Sequence, residues 1–215
     1  MLALILLISL FAPASGAADL YEHLNNATIR LLTTAPCENE LDEKTFETCL
    51  IFVGNNTVSL KRYEYSFFHN QTDFMETIST MKFLANCIAL CTCPRLRLYK
   101  YHLDGMIFVG EKIFMDAEDC FINGDVLFQS EKCTDYSRRK FSLKEYAAYV
   151  YDHRNKIMTC IDKDLQMTKE CTDEKRKTIA AAFYAMIDVL VITVAPFSNY
   201  IVYKFQPYYN SNIDL

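Results

Sequence analysis

The chain has 215 residues, of which 51% are apolar and 23% charged, with a net charge of −5. Such a chain is neither a disordered tail nor a basic nucleic-acid-binding surface, and its length suits one domain of ordinary size. Glycine and proline number only five each and tryptophan is absent, which disfavours turn-rich sandwiches and barrels and moves the expectation toward helices.

Residues 1–11 read MLALILLISLF and are followed by the small residues APASGAA before the first charge, Asp19. An apolar core ahead of small residues is the layout of a cleaved signal peptide. Ser15 and Ala17 fit the −3 and −1 positions, so 1–17 is assigned as signal peptide and 18–215 as the mature, secreted, cysteine-rich helical domain. Three N-x-[ST] sequons at Asn26, Asn55 and Asn70 lie in polar stretches and are glycosylation candidates.

The mature chain opens with Leu20, Leu24, Ala27 and Leu31 at helical spacing. Phe46, Cys49, Leu50 and Val53 then predict a short amphipathic helix stopping at Gly54, and 55–71 reads as a loop. Asp73 is the expected N-cap of a stronger helix with Phe74, Ile78, Met81, Ala85 and Ile88 on one stripe, ended by Pro94. From Arg95 to Phe121 the period is mixed and broken by Gly105 and Gly110, with helix favoured over strand. Asn123-Gly124-Asp125 marks a turn and 133–140 a polar connector.

Ser142 and Glu145 form a capping box for a helix carrying Leu143, Tyr146, Ala147, Val150, Ile157, Ile161 and Leu165 at the helical period. A last helix starts after Cys171, with Thr172 or Asp173 as cap, and ends before Pro196. No internal repeat, low-complexity tract or linker is visible. The fold expected is all-α: a single-domain, disulfide-stapled helical bundle.

The disulfide candidates are all nine cysteines: Cys37, Cys49, Cys87, Cys91, Cys93, Cys120, Cys133, Cys160 and Cys171. On a secretory route they read as four structural bridges and one orphan, whose pairing spacing alone leaves open. Cys87 and Cys91 lie one helical turn apart and are each expected to reach a different neighbouring segment. A zinc site at Cys87-x3-Cys91-x-Cys93 lacks a second close pair, and a redox-active C-x-C lacks the strand and helix context of thioredoxin-like motifs; both rank below structural bridges.

Catalytic motifs are missing. The four histidines, His23, His69, His102 and His153, sit in no H-E-x-x-H, and no nucleophile elbow, phosphate loop or dinucleotide fingerprint occurs. Were the chain an enzyme, His102 or the Asp116, Glu118, Asp119 group would be where polar groups converge. The expectation is no enzyme and no cofactor or metal, with an unknown extracellular protein or small hydrophobic ligand as partner and no nucleic acid. A lipid carrier is the alternative. A second alternative is a single-pass membrane protein anchored by 179–197, a stretch that would span about 28 Å as a helix. Asp188 at its middle and Lys175, Arg176 and Lys177 ahead of it favour a core helix instead.

The order Cys87-x3-Cys91, Phe114 to Cys120, Cys133, a long spacer helix, Cys160, and Cys171 followed by an amphipathic helix resembles the nematode-type secreted cysteine-rich T20D4.11-like domain family. The family-like core covers about residues 37–195. The resemblance implies a signal peptide, a disulfide-linked helical domain of unknown function and no catalytic residues. Tyr151 stands where that family often carries a further cysteine, and a Trp common in its last helix is absent. Cys160 is therefore the first candidate for the unpaired thiol, ahead of Cys93 and Cys37.

Overall fold

The computed structural model describes residues 37–56, 71–134 and 143–194, and the expectations placed on 1–36, on most of the 55–71 loop, on most of 133–140, on Ser142 and on 195–215 lie outside them. Among the described residues every regular element is a helix: α1 Glu40–Asn56, α2 Gln71–Cys87, α3 Pro94–Glu111, a π-helical turn Lys112–Asp116, α4 Glu118–Asn123, α5 Val126–Thr134, α6 Leu143–Leu165 and α7 Asp173–Val194. The all-α, disulfide-stapled bundle is the observed fold.

The helix starts follow from local chemistry. Asn39 caps α1, its side-chain oxygen accepting the Leu41 amide at 2.9 Å, and Glu40, Asp42 and Glu43 place negative charge on the positive end of the helix. The buried face of α1 carries Asp42, Phe46 and Cys49, with Val53 half-buried; Leu50, expected on that stripe, is 41% exposed. The helix also runs past Gly54 to Asn56, because one glycine inside a helix costs only about 1 kcal/mol.

In α2 the expected stripe of Ile78, Met81, Ala85 and Ile88 is buried, but the helix begins at Gln71, so Asp73 lies in its first turn and is not its N-cap. Pro94 does not end this element. The helix stops at Cys87, a turn follows, and Pro94 opens α3 at a first-turn position, where its missing amide hydrogen is not needed. Gly105 and Gly110 are buried inside α3 and do not break it.

The Asn123-Gly124-Asp125 turn is present between α4 and α5, with Asp125 in the left-handed region at φ 45°. Gly124 itself is there for space. A Cβ on it would sit 2.5 Å from the Cys120 carbonyl oxygen, 2.5 Å from Leu165 Cδ2 and 3.3 Å from Cys171 Sγ. Gly124→Ala is therefore expected to destabilise the protein by about 1–3 kcal/mol, since backbone must move to admit the methyl group. Urea unfolding of the purified variant measures this, and a change near zero would contradict the packing described.

At α7 the sequence left two caps open. Thr172 is the one: its hydroxyl accepts the Lys175 amide at 3.4 Å, while Asp173 and Glu174 stand in the first turn. The predicted α6 stripe of Tyr146, Ala147, Val150, Ile157, Ile161 and Leu165 is buried throughout.

The helices pack in a simple order. α1 lies on α2, α2 on α3, α3 on α7, α7 on α6 and α6 on α5; the π-turn and α4 also lean on α7. The centre of the core is thus the α3/α7 pair. Ile179, Ala180, Ala182, Phe183, Ala185, Met186, Ile187, Val189 and Leu190 are all buried, so α7 is apolar on most sides because protein surrounds it. No helix of the described residues is long and apolar enough to cross a membrane.

Candidate functional site

Four disulfides tie these helices: Cys37–Cys93, Cys49–Cys87, Cys120–Cys171 and Cys133–Cys160. Every cysteine of the chain lies among the described residues, and the free one is the buried Cys91. The orphan is therefore none of Cys160, Cys93 and Cys37. Cys160 bonds Cys133 across α5 and α6, so Tyr151 marks no lost partner. Cys87 and Cys91 also do not both reach out to other segments: Cys87 bonds α1, while Cys91 stays reduced.

A buried polar cluster lies around Cys91, at the start of α3. Asp42, only 6% exposed, projects from the first turn of α1 toward the segment that links α2 to α3. One of its carboxylate oxygens accepts the Cys93 amide at 2.8 Å, the Thr92 amide at 2.9 Å and the Thr92 hydroxyl at 3.1 Å, and the Cys91 thiol donates to the same side chain. These amides precede α3, so a carboxylate from α1 supplies acceptors that Cys93, the N-cap residue, does not provide with its own side chain.

Beside it, Arg95 Nη2 donates to Glu43 at 2.5 Å and approaches Cys37 Sγ at 3.5 Å, and its guanidinium lies over the Phe46 ring at 5.7 Å from the centroid. Phe46 in turn meets Tyr99 edge-on at 5.9 Å, and Tyr99 stacks with His102 at 6.2 Å. Polar cap and aromatic core are continuous.

The electrostatics of this cluster are those of a clasp. The Cys93 amide, foremost, holds the Asp42 carboxyl below its ordinary 3.8 against the opposing effect of burial, with the Thr92 amide and hydroxyl and the Cys91 thiol adding to it. Burial, then the charge and hydrogen bond of Asp42, push the Cys91 thiol up from 9.0. The carboxylate stays ionised and the thiol protonated, which is the reverse of what a nucleophilic cysteine needs.

Burial likewise raises Tyr99 to about 12 and lowers His102 to about 3. His102 is a core residue at 2% exposure, so it does not line the cleft an enzyme reading requires.

Asp42 gives the cluster a pH dependence with a definite sign. Its folded pKa lies below the unfolded value of 3.8, so its contribution to stability is complete above that value and is lost as pH falls through the lower, folded pKa. Asp42→Asn removes the ionised acceptor and is expected to lower Tm at neutral pH. It also flattens the loss of Tm on acidification below about pH 4. Thermal scans of both proteins across that range check this, and parallel curves would contradict it.

The remaining site candidates are dispersed. Asp116 takes Lys112 at 2.7 Å, and Asp119 accepts the Cys120 amide at 2.8 Å and Lys175 at 2.5 Å. That lysine contact, first, holds the Asp119 carboxyl below its ordinary value. These two carboxylates thus serve separate ion pairs. His153 is exposed, its Nδ1 2.9 Å from the Tyr149 carbonyl and its ring stacked on Tyr149.

Asn55 falls in the last turn of α1, and Asn26 and Asn70 lie outside the described residues. Among the described residues no three His, Cys, Asp or Glu side chains are grouped to hold a metal ion. A pocket bounded by Ser130, Tyr146, Val150, Phe183, Met186 and Leu190, between α5, α6 and α7, has room for about one water molecule.

The residue that sequence reasoning missed is Asp42, and Cys91, expected there as one of the disulfide candidates, is instead the free thiol. A signal for the first was present, because Asp42 precedes Phe46, Cys49 and Val53 at helical spacing and so is a carboxylate on an apolar stripe. Compared with models of known protein families, with curated proteins and with solved structures, the chain has no match.

Proposed function

We propose that the protein is a secreted, N-glycosylated extracellular domain that acts by binding another molecule or as a structural component, without catalysing a reaction. The observation that carries the reading is the set of four disulfides, each joining segments distant in sequence. Such bridges form and persist in an oxidising compartment, which agrees with the signal-peptide layout of 1–17 and the sequons at Asn26, Asn55 and Asn70. The cysteine order supports a relation to the secreted T20D4.11-like domains in the same sense.

The Asp42 cluster favours a structural over a catalytic role, because its acceptors are directed at the protein's own backbone. The burial of α7 against α3 and α6 favours a core helix over an anchor. The water-sized room between α5, α6 and α7 gives that pocket no capacity for an acyl chain.

Expression of the whole chain in a secreting eukaryotic cell tests the proposal. The expected product is soluble in the medium, begins at Ala18, and loses mass on treatment with an N-glycosidase. An uncleaved, cell-associated product without glycan would overturn it.

A further inference from the structure

Two stretches of the chain carry the same covalent plan. In the first, Cys37 precedes α1, Cys49 on α1 bonds Cys87 on α2, and Cys93 at the start of α3 bonds back to Cys37. In the second, Cys120 precedes α5, Cys133 on α5 bonds Cys160 on α6, and Cys171 just ahead of α7 bonds back to Cys120. Each is an inner bridge between two helices, nested inside an outer bridge that fastens the start of a third. The inner cysteine follows the outer by 12 residues in the first and 13 in the second.

The packing repeats as well. Within each stretch the first helix lies on the second and the second on the third, and the two third helices, α3 and α7, meet at the centre. The layer order α1, α2, α3, α7, α6, α5 therefore reads the same from either end. The ion pairs differ: Arg95 ties α3 to Glu43 on the first helix of its stretch, whereas Arg176 ties α7 to Asp162 on the second helix of its own at 2.9 Å. The π-turn links the two stretches, and α4 carries Cys120, the first cysteine of the second.

We infer that the domain is a tandem of two quasi-equivalent three-helix units, α1–α3 and α5–α7, and that each opens as its own unit when its nested bridges are reduced. No bridge crosses from one unit to the other. Once a bridge is cut, the hairpin it held loosens and exposes the second bridge of the same unit. The other unit keeps both of its ties and stays closed. Local opening in contiguous segments of this kind is the general behaviour of folded chains.

Graded reduction of the full secreted chain tests this. A phosphine reductant is applied at acidic pH, where few thiolates exist to exchange bridges, the new thiols are alkylated, and the doubly reduced molecules are mapped. The expected molecules have lost both Cys37–Cys93 and Cys49–Cys87, or both Cys120–Cys171 and Cys133–Cys160. A majority that has lost one bridge from each unit overturns the inference, as does loss of all four together with no partly reduced form.

A second arm uses the Cys49→Ala/Cys87→Ala chain, which is expected to retain Cys120–Cys171 and Cys133–Cys160. Any bridge between the units in that chain overturns the inference. Where the variant is not secreted, the reduction of the wild-type chain still decides.

Discussion

Replacing Cys120 and Cys171 together by alanine is expected to lower the free energy of unfolding by about 3–4 kcal/mol. The bridge spans 51 residues, but Cys133–Cys160 already closes 27 of them. The extra constraint on the unfolded chain is thus that of a loop of about half the full span, which sets the figure given. Both cysteines are buried, at 0% and 4% exposure, and Gly124 and Leu165 lie beside the bridge, so truncation also removes contacts. Since typical domains are stable by only 5–15 kcal/mol, one such loss is a large fraction of the whole. Urea unfolding under non-reducing conditions measures it, and a loss below about 1 kcal/mol would mean that the bridge constrains little.

Phe114→Ala is the second large effect, with an expected cost of about 3–5 kcal/mol. Phe114 is 1% exposed in the π-helical turn that packs on α3 and α7, with its ring 6.4 Å from that of Phe121. Truncation opens a void at the junction of the two units, where neither helix can move inward without disturbing its partner. The neighbouring Met115 is 65% exposed, and Met115→Ala is expected to change stability by no more than about 0.5 kcal/mol. The contrast between adjacent positions makes the comparison internal. Equal effects at the two would contradict the orientation of this turn.

The longest amphipathic helix was legible in the sequence because the apolar residues of α6 keep one period over more than five turns, with the opposite face left to polar residues. α7 shows the limit of that signal. Its surroundings are apolar on most sides, so its sequence alone resembles a membrane span, and Asp188 with the preceding cations was needed to separate the readings.

Boundaries were less legible. Pro94 reads equally as the end of one helix and the start of the next, and tertiary packing carries α1 through Gly54 and α3 through Gly105 and Gly110. The pairing of the cysteines was not legible at all, since spacing along a chain does not specify which helices become neighbours. For the same reason the unpaired thiol was sought at Cys160, Cys93 and Cys37, whereas the structure leaves Cys91 reduced beneath Asp42. The likeness of the two units is not legible in the sequence because it resides in connectivity and packing order and not in repeated residues.

The most direct measurement is a disulfide map of the full chain expressed through a secretory route, digested without reduction after alkylation of free thiols in denaturant. The expected result is Cys37–Cys93, Cys49–Cys87, Cys120–Cys171 and Cys133–Cys160, with the alkyl group on Cys91 and no labelling of that thiol when denaturant is omitted. A bridge to Cys91, or any bridge between residues 37–93 and 120–171, would contradict both the clasp at the start of α3 and the two-unit plan of the domain.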